Sequence, residues 1–380
     1  MRILFTTPAH SHFHYGGLAH SCTRVTTGLA AKGHIIITVV FDSGYQYWDA
    51  MEIPDSPYMF SENRVLIEFI PKDHSITGVK IPQPASQASQ LQQVYLYMQM
   101  LVKKHKPDVI VALYPIPIGY PVSLAAKEMQ IPLILAFRGN DIGRSIHNPY
   151  QVPLIIHCLQ TARGAIFVAE DLRRMAKTIA MQMPKSRTIY NGIEPALLER
   201  KWQKIRSNNV IFGSVGIFKP KKGIEVFIRV LQGLPRFEKR VILVGDFYKN
   251  TCSAQPDGVK ITGILPYKKT LNELDNIDIF VAPSFSDGCP NAVLEAMAAG
   301  RAIITTPVGA MNDLLRHGES CYFLQNLSDA EMKSAIKKLD EDETFRLSIA
   351  EGARRVAESL TLKREINEWE KFLHETTNGN

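Results

Sequence analysis

Short apolar runs of strand character alternate with stretches of helical periodicity along almost the whole chain, and this alternation indicates an α/β fold built on parallel sheets. A first series of strands is predicted at 2–7, 35–41, 108–114, 132–137 and 164–169. The pattern then starts again, with strands predicted at 208–216, 240–245, 258–262, 278–283, 302–307 and 321–324. Helices are predicted between or after the strands, at 18–31, 87–104, 170–180, 223–233, 291–299, 310–316 and 328–338, and two further helices at 342–357 and 362–376 close the chain. Two such series predict two doubly wound, Rossmann-like domains.

The length of the chain supports the same division. Its 380 residues exceed what one hydrophobic core usually organises. The Asn-Gly pair in "TIYNGIEP" (188–195) is a turn signal that lies where the first strand series ends. In open parallel sheets, ligands bind beyond the carboxyl ends of the strands. The loops that follow the strands are therefore the places to search for a functional site.

Charge, cysteine content and the N-terminal segment exclude several protein classes. The formal net charge of +7 suits an anionic ligand or an acidic surface. The five cysteines are odd in number and show no CxxC spacing, which predicts free thiols in a reducing compartment. No signal-peptide h-region and no run of about 18 apolar residues is present. We therefore expect a cytoplasmic protein with at most peripheral membrane contact.

The stretch "SFSDGCPNAVLEAMAAG" (284–300) carries the strongest chemical signal. A helix is predicted to begin at Asn291, capped by that residue or a neighbour, and the start of such a helix can bind a phosphate. Asp287 and Glu295 would accept hydrogen bonds from sugar and ribose hydroxyls on either side of that phosphate. Alternatively, the two acids only stabilise the helix N-terminus. The predicted phosphate seat consists of Gly288, Cys289, Pro290, Asn291, Ala292 and Val293.

Extended to "SFSDGCPNAVLEAMAAGRAIITTPVGAMNDLL", this stretch resembles the signature of retaining GT-B glycosyltransferases, in particular glycosyltransferase family 4. Three positions depart from that signature: Asp287 replaces the usual Glu, Arg301 a common Pro, and Ala310 a Gly. The resemblance implies two Rossmann-like domains that face each other across a cleft. It also implies that the last helix returns to the first domain. The expected domains are an acceptor-binding domain of residues 1–190 plus 362–380 and a nucleotide-sugar-binding domain of residues 191–361.

Two further stretches of the second half extend the resemblance. "GSVGIFKPKKGIEVFI" (213–228) matches the family's strand–loop–helix segment through Lys222 and Gly223. Ile217 stands where an Arg is usual, and Lys219 could replace that missing cation. The lysines could instead form a solvated loop. In "ITGILPYKKTLNELDNIDIF" (261–280) the resemblance implies that the backbone around Ile264 and Leu265 holds the nucleobase.

In the first half, Gly16 and Gly17 match the family's N-terminal glycine loop, although a glycine pair also fits a plain tight turn. "LILAFRGNDIGR" (133–144) places Arg138 where many relatives have a His. Arg138 would hold a hydroxyl, a phosphate or an anionic acceptor, or else pair with Asp141.

His12 and His14 raise a metal alternative, but no acidic residue or cysteine completes a recognisable site near them. We therefore assign His12, His14 and Asp141 to the acceptor side and expect no metal and no cofactor. The chain lacks GxGxxG and GxxxxGK[ST] motifs, which removes dinucleotide and P-loop sites.

The resemblance thus implies a retaining, metal-independent glycosyltransferase with Asp287, Lys222 and Arg138 as catalytic residues. The expected donor is a UDP-hexose, and the expected acceptor is a saccharide or a polyprenyl-linked glycan in polysaccharide or glycoconjugate synthesis. A nucleotide-sugar epimerase of the same fold remains an alternative. A non-enzymatic anion-binding protein is a second one, although the basic clusters at 103–106, 219–222 and 267–269 are scattered and fit no nucleic-acid module.

Overall fold

A computed structural model describes residues 1–13, 16–41, 58–70, 87–234, 240–248 and 258–377. The chain divides into two compact units, which are described separately below. Unit 1 consists of Met1–Tyr190 and Lys363–Asn380, and unit 2 consists of Asn191–Leu362. Each unit is built on its own sheet flanked by helices, so the α/β class predicted from the sequence is confirmed.

The sheet of unit 1 has eight strands in the order β3-β4-β2-β1-β5-β6-β7-β8. All neighbours are parallel except β3, which pairs with β4 in an antiparallel hairpin. The strands are β1 Arg2–Thr7, β2 Ile35–Phe41, β3 Tyr58–Glu62, β4 Val65–Ile70, β5 Val109–Leu113, β6 Leu133–Phe137, β7 Gly164–Phe167 and β8 Lys185–Thr188. From β1 the chain extends the sheet toward one edge through β2. From β5 it extends the sheet toward the other edge through β8. The topological switch point of this sheet therefore lies between β1 and β5.

Helices cover the sheet of unit 1, and they include the last helix of the chain. They are α1 Gly17–Ala31, α2 Gln87–His105, α3 Gly119–Glu128, α4 Asn140–Gly143, α5 Val152–Thr161, α6 Glu170–Ile179 and, at the end of the chain, α14 Leu362–Thr377. In α14 one face carries the apolar side chains, and all four of them are buried: Ile366, Trp369, Phe372 and Leu373. A Cβ atom on Gly28 of α1 would lie 2.4 Å from the Ile366 side chain, so the glycine allows the two helices to touch. Arg24 of α1 donates to both carboxylate oxygens of the buried Glu365, at 2.8 and 3.2 Å.

The sheet of unit 2 has six parallel strands in the order β11-β10-β9-β12-β13-β14. They are β9 Phe212–Phe218, β10 Val241–Phe247, β11 Lys260–Ile261, β12 Ile279–Ala282, β13 Ala302–Thr305 and β14 Tyr322–Phe323. The winding direction reverses between β9 and β12, which makes that crevice the switch point of unit 2.

The helices of unit 2 complete its two flanking layers. They are α7 Pro195–Glu199, α8 Ile224–Gln232, α9 Tyr267–Leu274, α10 Asn291–Ala298, α11 Ala310–Leu314, α12 Asp329–Glu341 and α13 Glu343–Ser359, with a 3-10 turn at Pro220–Lys222. Two segments near the ends of the unit pair side by side through a parallel bridge between Ile193 and Thr361. Ile193 donates to the Leu360 carbonyl at 2.7 Å and accepts from the Leu362 N–H at 2.9 Å.

β3, β4 and β8 are absent from the sequence-based prediction. β4 contains Glu68, whose charge breaks the apolar run, yet Glu68 is buried. His105 and Lys104 of α2 contact its carboxylate at 2.6 and 2.8 Å, and these distant partners make its burial tolerable.

Two other properties of the chain bear on the predictions. Cys22, Cys158, Cys289 and Cys321 are free and buried, while Cys252 lies outside the described residues. In the part of the chain that the structure describes, no helix is both long enough and apolar enough to cross a bilayer.

Candidate functional site

A pocket of about 360 Å³, including its open mouth, lies at the switch point of unit 2. It is lined by the carboxyl end of β9, by the loop after β12 and by the first turn of α10. The lining includes Gly216, Ile217, Lys222, Ser284, Pro290, Ala292 and Val293. Two stretches that the sequence analysis singled out, 213–228 and 284–300, therefore meet at one site.

Glycines allow the backbones around this pocket to approach closely. Gly216 has φ +141°, and a Cβ atom on its cross-strand partner Gly245 would lie 1.9 Å from the Gly216 carbonyl oxygen. Gly223 follows the 3-10 turn with φ +62°, and a Cβ atom there would lie 2.1 Å from the carbonyl oxygen of Pro283. Larger residues would separate the lysine turn from the end of β12.

Lys222 and Asp287 form an ion pair at the edge of the pocket, with 2.5 Å between Nζ and Oδ2. Burial of the Asp287 carboxyl opposes its ionisation. The charges of Lys222 and Lys221, together with hydrogen bonds from Lys222 and the Gly288 N–H, outweigh that effect and lower the pKa of Asp287. The site therefore holds a carboxylate together with two nearby ammonium groups. Such a set can neutralise a developing negative charge while its acid stays ionised.

The backbone of Asp287 and Gly288 is held from the other side by the start of α11. Gly309 has φ +55°, and a Cβ atom there would lie 2.2 Å from the Gly288 carbonyl oxygen and 2.3 Å from that of Asp287. The Ala310 N–H donates to the Gly288 carbonyl at 2.7 Å. The loop that carries Asp287 is thus fixed by backbone contacts rather than by a bulky side chain.

The first turn of α10 borders the pocket, but its cap differs from the expectation. Helix α10 begins at Asn291, Pro290 stands at the cap position, and no side chain caps the helix. Val293 and Leu294 both donate to the Pro290 carbonyl, at 3.1 and 3.2 Å. The N–H groups of Asn291 and Ala292 precede the intrahelical hydrogen bonds, so they are the ones suited to an anion.

Asn291 does not cap the helix because its side chain has another partner. The buried Asn191 amide nitrogen donates to the Asn291 Oδ1 atom at 2.7 Å and to the Cys289 carbonyl at 3.0 Å. A carbonyl can only accept, so the group of Asn191 that faces Cys289 is its NH₂. The Asn291 oxygen faces that same NH₂ group, and its own NH₂ group points away. Asn191 was not among the predicted site residues.

Glu295 lies one turn into α10, where its Oε1 atom accepts a hydrogen bond from the Tyr267 hydroxyl at 3.1 Å. Tyr267 is the first residue of α9 and directly follows the segment of Ile264 and Leu265. Ile264 is exposed, and this segment leaves the sheet after β11. The predicted ribose-binding acid and the predicted nucleobase segment are therefore joined through Tyr267.

The surroundings of two lysines near the 3-10 turn, Lys219 and Lys221, were not foreseen in the sequence-based assignment. Lys219 directs its Nζ toward the ring of Tyr248, 5.1 Å from the ring centroid, and it is not part of the pocket lining described above. Lys221 instead lies close enough to lower the pKa of Asp287. Lys221, one residue before Lys222, is thus a second cation near Asp287, and the donor-binding role assigned to Lys219 stays a prediction.

In unit 1, Arg138 and Asp141 meet at the end of β6, where the backbone of Arg138 contacts the Asp141 carboxylate. Both carboxylate oxygens of Asp141 accept from the Arg138 backbone N–H, at 3.0 and 2.9 Å, and one also accepts from the Gly139 N–H at 2.7 Å. The Arg138 guanidinium donates to the Ser21 hydroxyl of α1. Asp141 is buried, and burial raises its pKa to about 6 against the opposing effects of these backbone donors and of the Arg138 charge. Its carboxylate organises the loop, and the acceptor-side role assigned to it stays a prediction.

The loop after β1 lies at the switch point of unit 1. Gly16 precedes α1 with φ +108°, and Gly17 is the first helical residue. His12 packs on the Phe60 ring at 4.2 Å between centroids, and its Nδ1 atom lies 3.7 Å from a Glu62 carboxylate oxygen. His14 lies outside the described residues. The roles assigned to these residues stay predictions.

Comparison with known proteins agrees with this geometry. Residues 15–197 match the family model "Glycosyltransferase Family 4", and residues 209–342 match "Glycosyl transferases group 1". Over 254 residues the chain is 24% identical to TuaC of Bacillus subtilis, a protein assigned to teichuronic acid biosynthesis, and the match covers 64% of each protein. The chain therefore spans less than two thirds of the length of this relative. Over 320 residues it is 23% identical to the amylovoran biosynthesis glycosyltransferase AmsK of Erwinia amylovora, covering 78% of this chain and 76% of AmsK.

A solved structure shows the same fold. The crystal structure of HepE from Anabaena in complex with UDP superimposes with a TM-score of 0.73 at 16% identity, covering 99% of this chain and 100% of HepE.

Proposed function

Since this chain belongs to the glycosyltransferases of group 1 and family 4 and has the GT-B fold, we propose that it transfers a hexose-type sugar from a nucleoside diphosphate donor with retention of configuration. The expected acceptor is a saccharide or a polyprenyl-linked glycan of a polysaccharide pathway. The names of TuaC and AmsK, both tied to polysaccharide synthesis, support that choice. UDP is the proposed nucleotide because HepE has been crystallised with UDP-glucose.

The observation that carries the proposal is the meeting of Lys222 and the first turn of α10 at one pocket, with Asp287 ion-paired to Lys222 beside it. In this reading, the donor diphosphate lies at the N–H groups of Asn291 and Ala292 and beside Lys222. The partial positive charge of a helix start and an ammonium group both attract an anion. The Glu295 carboxylate accepts from a ribose hydroxyl, with Tyr267 holding the acid in place.

The proposed reaction breaks the bond between the anomeric carbon and the diphosphate oxygen while the acceptor oxygen bonds to that carbon from the same face. The electron pair of the broken bond stays on the diphosphate, and a diphosphate oxygen takes the acceptor proton. Lys221, Lys222 and the α10 N-terminus stabilise the growing charge of the leaving group. Asp287 stays ionised beside Lys222, where it can accept from a donor-sugar hydroxyl.

No metal ion takes part in this mechanism as we propose it, since two lysines and a helix start already oppose the diphosphate charge. Arg138 remains a candidate for binding the acceptor from unit 1.

A ligand panel followed by a transfer assay tests the proposal. We expect UDP to raise the melting temperature of the chain more than GDP or ADP does. With the matching sugar nucleotide, Lys222→Met should lower turnover by about 10²–10³-fold, the usual effect of losing one donor to a developing anion. Lys337→Met, which removes an exposed lysine of α12, should leave turnover unchanged.

Two results would refute the proposal. Full activity in Lys222→Met would show that the pocket does not hold the leaving group. Interconversion of the donor sugar in the absence of any acceptor, followed by NMR, would identify an epimerase instead.

A further inference from the structure

Three potential metal ligands come together in unit 1, away from the pocket described above. His34 precedes the first residue of β2, and Glu370 and His374 lie four residues apart on α14. Residues four apart on a helix share one face, so the two α14 side chains point to the same side. Among the described residues, one ligand atom from each of these three side chains lies within 4.8 Å of the others.

We propose that His34, Glu370 and His374 form a structural binding site for a divalent transition-metal ion such as Zn²⁺. Zinc binds imidazole nitrogen and carboxylate oxygen at about 2.0–2.2 Å, so two ligands of one tetrahedral ion lie roughly 3.4 Å apart. The distance between His34 Nε2 and Glu370 Oε1 is 3.2 Å, which already matches that spacing.

A small movement of the His374 side chain would bring the third protein ligand into place. The centroids of the His34 and His374 rings lie 5.9 Å apart, and the largest separation among the three ligand atoms is 4.8 Å. His374 is exposed, so a rotation of its side chain can close the remaining gap of at most about 1.4 Å to the tetrahedral spacing.

The two better buried ligands are held by neighbouring groups, as ligands of metal sites usually are. Lys32 donates to Glu370 Oε2 at 2.8 Å, which fixes the carboxylate and leaves Oε1 directed at His34. The Nδ1 atom of His34 lies 3.3 Å from the Met1 nitrogen, which orients the ring with Nε2 toward Glu370.

The position of the cluster assigns it a structural role. His34 lies at the amino end of β2, whereas substrates of open parallel sheets bind at the carboxyl ends. An ion bound there would join the start of β2 to α14, the helix that carries the end of the chain back to unit 1. Imidazole ligands favour Zn²⁺ over Mg²⁺ and Ca²⁺, which prefer oxygen. This inference does not depend on the proposed function.

Calorimetric titration of the full chain, without an affinity tag and stripped of metal by chelator, tests the site. We expect one Zn²⁺ per chain, no saturable binding of Mg²⁺, and a rise in melting temperature with zinc. His374→Gln and Glu370→Gln should each weaken zinc binding at least tenfold and remove the thermal shift. The control His147→Gln, at an exposed histidine elsewhere in unit 1, should leave both unchanged.

Absence of zinc binding would overturn the proposal, and so would binding that is equally strong in His374→Gln. A cooperative thermal unfolding transition, measured without metal, shows whether each variant is folded. If Glu370→Gln fails to fold because it also loses Lys32, the exposed His374→Gln decides the question alone.

Discussion

Replacing Gly309 by alanine should disturb the candidate site without touching any side chain in it. The new Cβ atom would lie 2.2 Å from the Gly288 carbonyl oxygen and 2.3 Å from that of Asp287. Ordinary contact begins at 3.4 Å, so these carbonyls would have to retreat by about 1 Å. The loop that carries Asp287 would move with them, because its backbone is what Gly309 contacts.

The size of the effect follows from that displacement. A misplacement of about 1 Å at catalytic groups can cost about 10²-fold in rate. With φ +55° and ψ −141°, Gly309 lies in a backbone region that is open almost only to glycine, so alanine there adds about 1–3 kcal/mol of strain and lowers the free energy of unfolding. Gly300→Ala is the control for a positive φ: it has φ +66°, and nothing lies within 4 Å of its Cβ position. Gly300→Ala should therefore carry backbone strain of its own but not the displacement.

Three measurements separate the strain from the displacement: chemical denaturation, nucleotide binding and turnover of the donor. The nucleotide is UDP, or whichever nucleoside diphosphate raises the wild-type melting temperature most. We expect both variants to lose stability, and we expect the turnover of Gly309→Ala to be about 10²-fold below that of Gly300→Ala. If the two variants have equal nucleotide affinity and equal turnover, the close backbone contact does not position the site, and the reasoning fails.

Two other predictions follow from the same site. Asn191→Ala should weaken donor binding and lower the free energy of unfolding by about 1–3 kcal/mol, because the Cys289 carbonyl and the Asn291 oxygen lose their donor. A double-mutant cycle with Asn291→Ala should give a coupling energy of about 0.5–3 kcal/mol. Additive effects would contradict the contact between the two side chains. The pKa of Asp287 in the folded state lies below its ordinary value of 3.8, so its ion pair with Lys222 stabilises the fold above that pH and loses this contribution as pH falls through the folded-state pKa. The destabilisation caused by Asp287→Asn should therefore shrink in acid denaturation below about pH 4, and a difference from wild type that is independent of pH would refute this.

Apart from β4 and β8, the parallel strands of both units could be predicted from the sequence because strands buried on both faces read as continuous apolar runs. The β3–β4 hairpin could not. Glu68 interrupts the pattern of β4, and the residues that allow its burial lie on α2, more than thirty positions away in the sequence.

Some residues of the candidate site could likewise be predicted from the sequence, and others could not. Lys222 and Asp287 could be proposed because each lies in a motif that follows a strand, and the structure brings them together. The contact of Asn191 with Asn291 joins positions 100 residues apart, so no local pattern contains it. The contacts of Asp141 could not be predicted either, because its carboxylate accepts from backbone N–H groups that only the folded loop brings within reach.

A crystal of the chain soaked with UDP would locate the nucleotide. We expect the diphosphate at the start of α10, with oxygens in hydrogen-bonding range of the Asn291 and Ala292 N–H groups and of Lys222 Nζ, and with a ribose hydroxyl at Glu295. A diphosphate bound elsewhere on unit 2, with the Lys222–Asp287 pair unchanged and remote from it, would refute the proposed donor site.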